Sequence, residues 1–162
     1  GFFCVVLTKI EVLSRQSLSL ASVRKQQIKI LKNHAGLDFV KDYFDVAVPD
    51  ALWTLRDECL FPISQALSHF PLAPFYSLAF PFLKIYQHEF RPSHAGALFL
   101  GMQAKKHIYQ LNREELQNVF ERQPIPNQSG EQGLFLARYE NFPLGTAKLT
   151  ERRVEVLLPR HN

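Results

Sequence analysis

Near the end of the chain, "PLGTAKLTERRVEVLLPR" (residues 143–160) places Arg152, Arg153 and Arg160 within nine positions, with Lys148 just ahead of them. Guanidinium forks at that density, in an otherwise apolar frame, suit the contact of successive phosphate groups better than ammonium groups do. Side chains alternate along an extended segment, so Arg152 and Arg153 are expected on opposite faces. Lys148 and Arg152 share a face if the strand runs unbroken between them, and Arg160 follows a break at Pro159. The competing reading is an ordinary hairpin surface, in which Glu151 and Glu155 neutralise part of the set in ion pairs worth little.

No other residues form a catalytic constellation. There is no GxSxG elbow, no phosphate-binding P-loop and no GxGxxG fingerprint. His88, Glu89 and His94 lie close together without forming HExxH, and they read as surface and cap-adjacent residues. Cys4 and Cys59 have neither CxxC spacing nor histidines at ligand spacing, which makes them packed thiols rather than disulfide or zinc partners. No catalytic residue, cofactor-binding residue or metal ligand is assigned within the chain.

The elements that must position the basic segment belong to a globular chain. Its 162 residues, 46% hydrophobic and 21% charged, are enough for one domain with a real core, or a domain with an appended piece. No apolar run approaches the ~20 residues that span a bilayer, so no membrane partner is expected. "GFFCVVL" is too short for a signal-peptide core and has no positive segment ahead of it, so export is not indicated. The start at Gly1 rather than methionine reads as a piece of a longer protein. The net charge of +4 is sorted along the chain. Residues 1–34 and 84–106 are basic, whereas residues 38–58 set six carboxylates against Lys41 and Arg56. A polyanionic partner is consistent with that pattern.

Along the chain, "FFCVVL" reads as a strand buried on both faces, and "SRQSLSLAS" as a linker. "LASVRKQQIKILKNHAG" (residues 20–36) predicts a helix with Val23, Gln27, Ile30, Leu31 and His34 on one face, a solvated face of Lys25, Lys29 and Lys32, and Gly36 as its stop. "ALWTLRDECLFPI" predicts a hairpin turning at Asp57-Glu58, without the glycine such a turn favours. The proline-dense stretch from 62 to 92 excludes long helices and favours short or edge strands. Ser93 is expected to cap a short buried helix, and "KHIYQL" alternates as a strand. Asn112 and Glu115 form a capping box ahead of a helix whose apolar face is Leu116, Val119 and Phe120. "PIPNQSGEQG" is a loop, and "LFLARYENFPLGTAKLTERRVEVLLP" makes two or three strands with "ENFP" as a turn. The class implied is α+β with an antiparallel, barrel-like sheet.

"RPSHAGALFL", the capped "LNREEL" helix and "GLFLARYENFPLGTAKLTERRVEVLLPR", in that order, resemble the C-terminal region of RsmF-like RNA cytosine-C5 methyltransferases of the Nop/Sun group. "GFFCVVLTK" is similar to the last strand of that family's methyltransferase core, and "ALWTLRDECLFPI" to the hairpin placed between core and tail. The resemblance spans nearly the whole chain. It implies a PUA-like mixed or antiparallel β-barrel with flanking short helices, preceded by a strand left over from a Rossmann-like core. The boundaries implied are 1–13 for the core strand, 14–83 for a linker, helix and hairpin region, and 84–162 for a PUA-like RNA-binding domain.

Function follows from the same resemblance: an RNA-binding, substrate-positioning module of a cytoplasmic rRNA 5-methylcytosine methyltransferase. S-adenosylmethionine would bind the catalytic domain, which acts in cis and lies outside this chain, and RNA, above all rRNA, would be the partner. Arg91, Lys148, Arg152, Arg153 and Arg160 are the RNA-contact residues implied. Gly145 would let its strand turn closely. The family's closing motif commonly has a lysine and an asparagine where this chain has Glu155 and Val156. The alternative is a structural domain that packs on the catalytic core with RNA binding lost; an autonomous enzyme or small-molecule binder is a third reading.

Overall fold

A computed structural model describes residues 30–63, 80–87 and 89–159 of the chain. The expected core strand "FFCVVL", the serine-rich linker, most of the expected first helix, His88 and Arg160 lie outside the described residues. The class is mixed α+β, with two five-stranded sheets and three short helices among the described residues.

The first sheet runs in chain order, β1 (Ile30–Leu31), β2 (Leu52–Arg56), β3 (Cys59–Ile63), β4 (Leu83–Tyr86) and β5 (Glu89–Pro92), with every neighbour antiparallel. The β2–β3 turn is the expected Asp57-Glu58 pair, and Arg56 faces Cys59 across it. Both turn residues take positive φ, 46° and 58°, the left-handed backbone that a two-residue hairpin loop requires and that Asn-Gly supplies more cheaply. Residue 84, the expected start of the last domain, falls within β4.

Between β1 and β2 stands α1 (Ala35–Phe44), and here the sequence expectation is overturned. Ile30 and Leu31 are strand, paired with Thr54 and Trp53, rather than the end of a helix. The helix begins where it was expected to stop. His34 is its N-cap and accepts the Gly36 N–H on Nδ1 at 3.0 Å. Gly36 sits in the first turn because the helix lies close to β4; a Cβ there would come within 2.6 Å of Leu83 Cδ2. Leu37, Val40 and Phe44 then face inward at helical spacing and are buried.

The connecting helix α2 (His94–Gly101) is capped by Ser93, whose Oγ accepts the Gly96 N–H at 3.0 Å, as expected for a short buried helix. It lies between the two sheets because two glycines bare its backbone. A Cβ on Gly96 would meet the Phe82 carbonyl oxygen at 2.0 Å, and one on Gly101 would meet Pro143 Cβ at 2.6 Å.

The second sheet comprises β6 (Ile108–Leu111), β7 (Ile125–Pro126), β8 (Gly133–Tyr139), β9 (Phe142–Leu149) and β10 (Arg153–Leu157), in the order β6-β8-β9-β10-β7. β6 pairs parallel to β8, and the other pairs are antiparallel. The helix α3 (Arg113–Glu121) crosses from β6 to β7. Strand β8 is buried on both faces and feeds two cores. Leu136 joins Phe44, Leu60, Phe82, Leu83 and Leu100 in the larger core, while Phe135 and Ala137 join Leu111, Ala147, Leu149 and Val154 in the smaller. Each large side chain so buried contributes about 1.5–3 kcal/mol.

Candidate nucleic-acid interface

The basic segment folds as the β9–β10 hairpin, and its strand is broken between Lys148 and Arg152. Lys148 is on β9, Arg153 opens β10, and residues 150–152 make the turn. The expected shared face of Lys148 and Arg152 therefore does not form. Thr150 closes the turn: its N–H donates to the Arg153 carbonyl at 2.9 Å, and its Oγ1 accepts the Arg153 N–H at 3.2 Å. From the β7 side, Asn127 ties the tip down, donating through its N–H to Arg152 O at 3.1 Å and through Nδ2 to Thr150 O at 2.7 Å.

Lys148, Arg152 and Arg153 are all exposed at this end of the sheet. Glu155 intervenes between two of them. It stands opposite Lys148 in the register and comes within 3.9 Å of the Arg153 guanidinium. With both partners of that contact more than half exposed, the pair is loose and of small energetic weight. Arg91 belongs to another place in the fold. It is on β5 of the first sheet, half-buried, its guanidinium 4.6 Å from the Tyr86 ring centre and donating to the Tyr86 hydroxyl.

Next to the hairpin runs a groove of about 1320 Å³, which the sequence expectations did not single out. The last turn of α3 contributes Val119, Phe120 and Arg122, β10 contributes Arg153 and Val156, and His94 lines it from the first turn of α2. The capping box holds α3 as expected: Asn112 Oδ1 accepts the Glu115 N–H, and Glu115 Oε2 accepts the Asn112 N–H, each at 2.9 Å. Glu115 Oε1 also accepts the Tyr109 hydroxyl at 2.6 Å, which links the helix to β6. Burial, and then the bond to Glu115 and its charge, push Tyr109 well above the ordinary tyrosine range.

The apolar face expected of α3 is only partly covered. No residue of the helix is fully buried; Val119 packs on the smaller core, and Phe120 is 66% exposed at the groove. The helix ends at Arg122 in the left-handed conformation, with its N–H donating to Asn118 and Val119 carbonyls. The sequence signal for this site was an aromatic two residues ahead of a basic C-cap.

His94 is half-buried rather than a surface residue. Its Nδ1 is buried with no partner among the described residues, and burial lowers its pKa. Gly145, at φ 142° beside the bulge where β8 and β9 shift register, leaves the imidazole room; a Cβ there would lie 3.1 Å from Nδ1. Arg138, also not anticipated, donates its guanidinium to the Gly101 and Ala104 carbonyls and so closes the C-terminal end of α2.

The chain matches no protein-family model and no curated protein. Among the described residues, no helix is long and apolar enough to cross a membrane.

Proposed function

We propose that the chain is the RNA-binding, substrate-positioning module of an RNA 5-methylcytosine methyltransferase, with rRNA as the substrate class. In this reading residues 84–162 form the PUA-like domain, and residues 1–13 are the last strand of a Rossmann-like catalytic core. The catalytic domain, in cis, binds S-adenosylmethionine and performs the transfer in the cytoplasm, and this module presents the RNA to it. The observation that carries the reading is the exposed cation set Lys148, Arg152 and Arg153, held at one end of the second sheet by a closed turn. Contacts of that kind position a phosphate backbone without reading its sequence.

One observation favours the alternative, a domain that packs on the catalytic core without binding RNA. Glu155 faces Lys148 and Arg153, where a phosphate would have to approach. The two readings separate in a salt titration of structured-RNA binding by fluorescence anisotropy. The variant Lys148→Ala/Arg152→Ala/Arg153→Ala is expected to bind more weakly across unrelated sequences, with a log–log salt slope shallower by roughly 2. Glu155→Lys is expected to bind several-fold tighter. Wild-type affinity and slope in the triple variant, or no binding by the wild type, would refute the RNA reading.

A further inference from the structure

We propose that the groove between the last turn of α3 and β10 takes single-stranded RNA, one unstacked base lying on Phe120 and the flanking phosphates held by Arg122 and Arg153. The inference rests on the RNA reading above and names the form of RNA that this face selects.

The size of the groove argues for a polymer. At about 1320 Å³ it exceeds the roughly 300–1,000 Å³ of small-molecule pockets, so an extended occupant fits it better than a lone metabolite. Its chemistry argues for a nucleic acid strand. Single-strand sites combine a cationic track with aromatic rings on which any base can stack. Phe120 supplies an exposed ring, and Arg122 and Arg153 supply fixed cations on the two walls. The lining also includes the aliphatic side chains of Leu98, Leu144 and Val156, which suit the faces of bases and sugars. Glu155 also lines the groove, but its contact with Arg153 is long and solvated, so a phosphate can displace it. A duplex would not use this geometry. Its bases are stacked inside the helix, and its phosphates would meet the rim while Phe120 stayed idle.

An exposed aromatic of the second sheet supplies the control. Phe142 is 67% exposed at the β8–β9 turn and does not line the groove. The experiment uses the full chain and measures anisotropy of a fluorescein-labelled, unstructured RNA oligomer and of the same sequence annealed to its complement. Phe120→Ala is expected to weaken single-strand binding roughly tenfold while leaving the salt slope unchanged. Phe120→Trp is expected to stay within about twofold of wild type, and Phe142→Ala to bind as wild type. Arg122→Ala is expected to lower the magnitude of the single-strand slope by about 0.7.

Equal affinity of wild type and Phe120→Ala, with duplex bound as well as the single strand, overturns the groove assignment and leaves the RNA reading of the hairpin standing. Competition by a polyglutamate peptide as effective as that by unlabelled RNA makes the groove a peptide site and overturns it too. Failure of the wild type to bind either RNA overturns both.

Discussion

Helices α1 and α3 are nearly the same length and are held in opposite ways. α1 buries Leu37, Val40 and Phe44 in the larger core, and its cap is a histidine, outside the usual Ser, Thr, Asp and Asn. α3 fully buries nothing, yet it carries a complete capping box tied to β6 through Tyr109. The first helix exists because a core needs it. The second is secured at its N-terminus, which leaves its C-terminal turn free to present Phe120 and Arg122 to an open groove. The binding surface proposed above lies in the half of the molecule whose apolar face is left uncovered, and that half also carries Lys148, Arg152 and Arg153.

The sharpest way to break this comparison is to truncate one phenylalanine from each helix. Phe44→Ala is expected to cost about 3–5 kcal/mol of stability in urea unfolding, because a fully buried ring leaves a cavity. Phe120→Ala should change stability by no more than about 0.5 kcal/mol, since it removes an exposed ring. Similar costs at the two positions would mean that α3 is packed as α1 is. Asn112→Ala is the next in size. Losing the capping box should cost about 1 kcal/mol, a loss α3 cannot offset by burial.

A gain of similar or slightly smaller size is expected in the first sheet. Replacing Asp57-Glu58 by Asn-Gly relieves two left-handed residues in the β2–β3 turn and should raise stability by up to ~1 kcal/mol. An unchanged or lower urea midpoint would show that the Arg56–Asp57 ion pair, at 3.1 Å, outweighs the strain.

The smallest effect is the pH response of α3's anchor. Tyr109 is pushed above the ordinary tyrosine value of 10.0 in the folded state, so its contribution is complete below pH 10.0 and is lost as pH rises from there through the raised folded value. Unfolding midpoints should therefore fall above pH 10, by less in Tyr109→Phe. His94 works in the other direction. With its pKa lowered from 6.5, its contribution is present above that value and is lost as pH falls. His94→Gln should flatten the acid side of the same unfolding-midpoint profile.

Local signals made much of this fold legible in the sequence. Ser93, the Asn112–Glu115 box and the Asp57-Glu58 turn each act within four residues, and each produced the expected element where expected. Signals that depend on distant partners misled. Ile30 and Leu31 fit a helical period, but β2 supplies a strand partner more than twenty residues away. Gly36 has the composition of a stop, while its function is close approach to Leu83. The Leu37, Val40 and Phe44 spacing was present and was masked by the misplaced helix before it.

At the site, Thr-Glu-Arg contains no glycine or proline to announce a turn; the break between Lys148 and Arg152 is held by the Thr150–Arg153 hydrogen bonds and by Asn127, more than twenty residues away. The groove was illegible for a different reason. An apolar stripe on a helix looks the same in sequence whether or not a neighbour covers its last ring.

Hydrogen exchange with and without a single-stranded RNA oligomer tests the central claim most directly, because it reports both halves of the molecule at once. Slower exchange is expected on RNA addition in residues 119–126 and 150–158, with residues 35–63 unchanged. Protection confined to α1 and the first sheet, or no protection anywhere at saturating RNA, would contradict it.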